Sequence, residues 1–161
     1  MTQAGKSNNL KDLLKALSEA SEEIAKTFGD ELVGVALFGS WARGEGSEGS
    51  DVDVFVVLRT AKGLAVRSKI YRIIARHVRR AVTLIDMRLA ELLNEELELT
   101  ALLINIIADA VIIYDRDDFL KSFIEKGRRL IKKAGLVRYR TPDGKYGWMR
   151  RGGKPISVVE L

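Results

Sequence analysis

The stretch from Leu37 to Leu58, LFGSWARGEGSEGSDVDVFVVL, constrains this chain more than any other. Glu31–Phe38 (ELVGVALF) reads as a buried strand halted by Gly39. A loop carrying Gly44, Gly46 and Gly49 follows, and Asp51–Leu58 reads as a second strand. Successive strand side chains point to opposite faces, so Asp51 and Asp53 emerge together while Val52, Val54, Val56 and Leu58 share the other face. Two carboxylates about 5 Å apart repel by ~3 kcal/mol at an effective dielectric of about 20. A cation between them relieves that repulsion, and Mg²⁺ takes oxygen ligands together with phosphates. The stretch therefore predicts a metal–nucleotide site, with Asp51 and Asp53 as the metal ligands.

The rest of the chain narrows the class. At 161 residues, with 47% apolar and 30% charged residues, it suits one globular domain of ordinary size. Cysteine is absent, which excludes disulfides, thiolate metal sites and a cysteine nucleophile. The N-terminal residues lack the apolar core of a signal peptide, and no run is long and apolar enough to span a membrane, so the expected location is cytoplasmic. Charge is uneven: Lys121–Leu161 carries twelve Lys and Arg against Glu125, Asp143 and Glu160. An anionic partner is therefore to be sought at the C-terminal quarter.

Helical periodicity marks residues 10–28, with Asn9 as N-cap and Gly29 as C-cap. Ser40–Arg43 forms one helical turn capped by Ser40. Leu64–Arg80 reads as a basic crossover helix leading to a strand at Val82–Ile85 that ends at Asp86. Two short helices follow at Arg88–Glu95 and Glu98–Ala108. The second is almost wholly apolar, and suits either core or a dimer or partner surface. Val111–Tyr114 is a short strand, and Asp117–Ala134 a helix with Asp117 and Asp118 favoured by the dipole at its start. Past Gly135, two aromatic-bearing runs flank Thr141-Pro142-Asp143-Gly144, a turn signal. The expected architecture is α/β (α+β), a small mixed sheet flanked by helices over residues 1–134. A basic hairpin or extended appendage occupies 135–161, with a last strand at Ile156–Val159.

In GSWARGEGSEGSDVD, a Gly-Ser pair, ten spacers and Asp-x-Asp occur together, with Ala42-Arg43-Gly44 and Ser50-Asp51 inside. This pattern resembles the minimal nucleotidyltransferase family of the DNA polymerase β-like superfamily, over roughly Leu32 to Tyr114. The resemblance implies a nucleotidyltransferase fold and transfer of a nucleoside monophosphate to an acceptor, with Mg²⁺ as cofactor and ATP as the donor. It implies that Gly39 and Ser40 bring backbone N–H groups and a hydroxyl against the triphosphate, with Arg43 and Ser50 beside them. Asp51 and Asp53 would hold the metal. Family members are often paired with a small helical HEPN-type partner, in some cases as an antitoxin that transfers AMP to the toxin.

The family's third carboxylate falls here at Thr83. Either the register differs and Asp86 serves as the third catalytic acid, or that ligand is missing. The alternative to an enzyme is a catalytically silent nucleotidyltransferase-like subunit that binds a partner protein or RNA. Arg43 could instead pair with Glu45 or Glu48 on the surface. In the basic tail, Tyr139, Tyr146 and Trp148 could stack on RNA bases; a solvated appendage is the other reading.

Overall fold

The computed structural model describes residues 9–152 and 158–160. Helix α1 (Leu10–Phe28) begins at Asn9, whose side chain accepts from Asp12 N at 2.8 Å, and ends at Gly29, in the left-handed region at φ 59°. Strands β1 (Leu32–Phe38), β2 (Val52–Leu58), β3 (Val82–Arg88) and β5 (Val111–Asp115) form one mixed sheet in the order β3-β2-β1-β5. β2 and β3 are parallel, joined by helix α3 (Leu64–Val78); β1 runs antiparallel to both neighbours. Between β3 and β5 lie helix α4 (Leu89–Leu93), strand β4 (Glu98–Thr100) and helix α5 (Ala101–Asp109). Helix α6 (Phe119–Lys133) leads to a hairpin of β6 (Leu136–Arg140) and β7 (Tyr146–Arg150).

Both faces of the sheet are covered. Val52, Val54, Val56 and Leu58 of β2 pack with Leu13, Leu17 and Ile24 of α1 and Ile70 and Ile74 of α3. Phe55 and Val57 point the other way, into a second core with Ile104 and Ile107 of α5 and Leu120 and Ile124 of α6. β2 is thus apolar on both faces except at Asp53, which makes that carboxylate the polar exception in a central strand.

Several expected boundaries move. β3 continues to Arg88, because Asp86 and Arg88 carry an ion pair along the strand instead of ending it. Residues 98–100, expected in a helix, pair with β8 (Val158–Glu160), and Thr100 caps α5 by accepting from Leu103 N at 3.2 Å. Of the last strand expected from the sequence, Ile156 and Ser157 lie outside the described residues. The apolar α5 segment belongs to the core: Leu103, Ile104, Ile106 and Ile107 are buried, and Leu102 is its exposed large side chain.

Asp117 and Asp118 do not serve α6 as helical first-turn acids. Both sit at positive φ (57° and 56°) in a 3-10 turn, and Asp115 caps the helix, its two carboxylate oxygens accepting from Leu120 N and Lys121 N at 2.8 Å each. Asp115→Ala is expected to cost about 1–2 kcal/mol, the usual worth of a lost N-cap, measured by urea unfolding with an unchanged m-value.

Candidate functional site

The site forms where β1, β2 and β3 meet at one end of the sheet. Strand β1 ends at Phe38, and Gly39–Ala42 turns once as helix α2. The turn starts one residue before the position expected, so Ser40 lies inside it. Gly39 adopts φ 78°, and a Cβ there would overlap Asp53 Oδ2. Asp53 opposes Phe38 on β1 and Thr83 on β3. Its carboxylate therefore nests against the Gly39 backbone, and glycine is required for both conformation and space.

Asp51 precedes β2 and is exposed; Asp53 is half-buried. Thr83 Oγ1 donates to Asp51 Oδ2 at 3.1 Å. Burial first, and then the charge of Asp51, push the Asp53 carboxyl up from 3.8 to about 6; Arg43 and Thr83 pull it down. The two carboxylates thus share one face and interact, as strand alternation predicts.

Asp86 does not join them. It pairs with Val56 in register, three residues further along β3 than Thr83, or about 10 Å. Alternation turns it to the α3 face, where Arg88 and Arg67 (3.6 Å) engage it. Thr83 holds the third position beside Asp51 and Asp53. Among the described residues, no three acids, histidines or cysteines cluster as a metal-binding group. Two carboxylates and a hydroxyl still match a hard cation that takes its remaining oxygens from phosphate and water.

The loop between α2 and β2 is organised by Trp41. Its indole is buried, donates weakly to Ser50 O at 3.4 Å and lies against Gly46, where a Cβ would overlap the ring. Arg80, which approaches Glu48 at 3.4 Å, stacks on the indole at 4.9 Å. Ser50 closes the loop on itself, its hydroxyl accepting from Ser47 N at 3.1 Å, so its role beside the site is to shape the turn before Asp51.

Arg43 has two acidic partners, one expected and one not. Its Nε donates to Glu45 at 3.1 Å and its Nη1 to Asp109 Oδ2 at 2.7 Å. Asp109, at the end of α5, has a buried side chain and shares its other oxygen with Arg138 of β6, also at 2.7 Å. The sequence carried a signal for this: one acid closing the apolar helix ALLINIIAD needs a cationic partner when buried. Tyr146 of β7 donates to Glu45 (3.0 Å to Oε2), and the guanidiniums of Arg43, Arg138 and Arg140 lie 4.6, 5.3 and 5.3 Å from its ring centre. Hydrogen bonds from Arg43 and Tyr146 hold the Glu45 carboxyl below its usual range.

The hairpin does not hang free. Leu136 and Trp148 are buried in the second core, and Trp148 Nε1 donates to Asn105 at 2.7 Å. Tyr139 lies against Gly147. With Trp148 buried and Tyr146 carrying the arginines, the aromatic groups expected to stack on RNA bases are engaged in packing.

The geometry can be set beside known proteins. The profile of the nucleotidyltransferase domain family matches residues 17–131. Two proteins of Methanocaldococcus jannaschii, both provisionally named protein adenylyltransferases, are 34% identical over 76% of this chain and 86% of theirs, and 35% identical over 41% and 67%. Two toxin–antitoxin crystal structures share the fold: one named MntA-HpeT (TM-score 0.50, 15% identity, 72% of this chain and 87% of that one) and one with AMP-PNP (0.51, 16%, 72% and 87%). The chain belongs to the nucleotidyltransferase domain family, and it is a nucleotidyltransferase. No helix among the described residues is long and apolar enough to cross a membrane.

The raised Asp53 carboxyl makes stability depend on pH. Between about pH 3.8 and 6 the folded chain holds a proton that the unfolded chain releases. This contribution is complete below about 3.8 and lost as pH rises through about 6. Glu23, Glu31 and Glu45, whose carboxyls are lowered, act in the opposite sense only as pH falls below their unfolded value of 4.5. Without divalent cations, the melting temperature should rise from about pH 7.5 to 5.5, and Asp53→Asn should flatten that slope and raise the pH 7.5 value. An unchanged slope in the variant would contradict the assignment.

Proposed function

We propose that this nucleotidyltransferase transfers AMP from ATP to a hydroxyl of a protein, using Mg²⁺ held by Asp51 and Asp53. The observation that carries the reading is Asp53 itself: a half-buried carboxylate with a raised pKa, next to Asp51 and against the Gly39 turn. The names of the Methanocaldococcus relatives support adenylyl transfer to protein, and the AMP-PNP in one structural neighbour supports a triphosphate donor. The toxin–antitoxin description of both neighbours favours a dedicated protein partner, in keeping with the HEPN-type acceptor that the sequence resemblance implies.

Asp51 and Asp53 would hold the cation, which would supply positive charge to the α-phosphate of the transferred AMP and to the leaving pyrophosphate. The chain's own residues do the positioning. Gly39 lets the backbone approach the triphosphate, and Ser40 offers a hydroxyl beside it. Arg43 is held by Asp109 and Glu45 rather than free to swing, so its charge is preorganised. Thr83 orients Asp51 but is a poor base. An acceptor that loses its proton easily then has the advantage, and a tyrosine phenol (pKa about 10) meets that need better than a serine or threonine hydroxyl.

ATP labelled at the α-phosphate, incubated with Mg²⁺, the full chain and HEPN-type proteins of its own cell, tests the proposal. Label should move to the acceptor, on tyrosine, and Asp51→Asn or Asp53→Asn should lower the rate by at least about a hundredfold. Transfer of γ-label in place of α-label would refute it.

A further inference from the structure

The hairpin β6–β7 begins at Leu136, beyond the residues 17–131 that the family profile matches, yet it brings its cations to Arg43 beside the Gly39 turn. Asp109 is the joint. One oxygen takes Arg43 and the other Arg138, each at 2.7 Å, so the motif arginine and the hairpin arginine are fastened to the same buried carboxylate. Arg140 completes the group from the next outward position of β6. Three guanidiniums surround the Tyr146 ring, against Asp109 and Glu45 as counter-charges, which leaves positive charge in excess.

Stacking on an aromatic ring occupies the face of a guanidinium and leaves N–H groups at its edge for an anion. Arg138 donates from Nη1 to Asp109 and from Nη2 to Asn105 Oδ1 at 3.2 Å, while its Nε is buried without a hydrogen-bond partner, so this arginine keeps an unsatisfied donor although both its terminal nitrogens are engaged. The cluster also continues from the Gly39 turn, where Arg43 N donates to Gly39 O at 3.1 Å.

We propose that Arg43, Arg138 and Arg140, gathered around Tyr146, form an anion subsite for the β- and γ-phosphates of the nucleotide, with Asp109 as the positioning residue that ties the hairpin to the Gly39 turn. The proposal rests on the nucleotidyl-transfer reading above. Arginine forks match phosphate oxygens in pairs, and the phosphates beyond the transferred one are the nearest anions that reading supplies. A donor triphosphate would then be gripped from two sides, by the Gly39 turn and by the β6–β7 hairpin.

Arg140 is the residue to change, because it is exposed and its contact is to the Tyr146 ring, so its loss should leave the fold intact. Calorimetry of the full chain with Mg²⁺ and either AMP-PNP or AMP separates the phosphate tail from the rest of the nucleotide. Arg140→Gln should weaken AMP-PNP binding about five- to twentyfold, the worth of a charge-assisted contact, while changing AMP binding less than about twofold. Arg140→Lys, which keeps the charge without the fork, should fall between. Unchanged AMP-PNP binding, or equal losses for both nucleotides, overturns the subsite while leaving nucleotidyl transfer standing. A variant that binds AMP-PNP normally but loses affinity for the acceptor protein also overturns it, in favour of an acidic acceptor surface. Wild-type protein that binds no AMP-PNP overturns both readings.

Discussion

Asp53 Oδ2 fills the space that a side chain at Gly39 would take, and much of the molecule is arranged around that contact. It requires β1 and β2 to pair so that Phe38 opposes Asp53, and β3 to lie parallel with Thr83 opposite the same residue. The register in turn depends on apolar side chains filling both faces of β2. A slip by one residue would send Val52 and Val54 to the site and Asp53 into the core beside α1 and α3. Burying an unpaired carboxylate there costs far more than any local gain, so the hydrophobic pattern guards the geometry of the polar end.

The same contact explains the electrostatics. Burial and the charge of Asp51 raise the Asp53 carboxyl above its ordinary pKa, and Arg43 and Thr83 offset part of that rise. The fixed positive charges are placed one step away. Arg43, Arg138 and the buried Asp109 form a partly buried chain of charge-assisted hydrogen bonds that joins the loop after the Gly39 turn, α5 and the hairpin. Removing one member of such a chain is more damaging than its net worth suggests, since a buried partner is left unpaired.

Much of this was legible in the residues alone. The caps at Asn9 and Gly29 bracket α1 as local chemistry predicts, and the alternating apolar positions of β2 place Asp51 and Asp53 together. Reading failed where the deciding partner was distant. Asp86 stood near the expected slot in sequence and only the strand register was open; β3 pairs with β2 so that Thr83 opposes Asp53, which leaves Asp86 with Arg67 and Arg88. The basic, aromatic C-terminal run suggested a hairpin or extended appendage, solvated or RNA-binding; the hairpin forms, but Trp148 and Leu136 are drawn inward by the second core. Asp109, with no motif around it, went unnoticed, though it organises two arginines 66 and 29 residues away.

The chemistry of the cradle was therefore determined by the sequence. Gly-Ser, the intervening loop and Asp-x-Asp specify the turn, the close approach of Gly39 to Asp53 and the paired carboxylates through interactions within a few residues or across one hairpin, where period and spacing suffice. Tertiary structure alone decided what completes the cradle: Thr83 rather than Asp86 beside the aspartates, and Arg138, Arg140 and Tyr146 beside Arg43. Those partnerships arise from burial. A charge at the end of an apolar helix must find its opposite wherever the packed chain brings one, and no local pattern names that residue in advance.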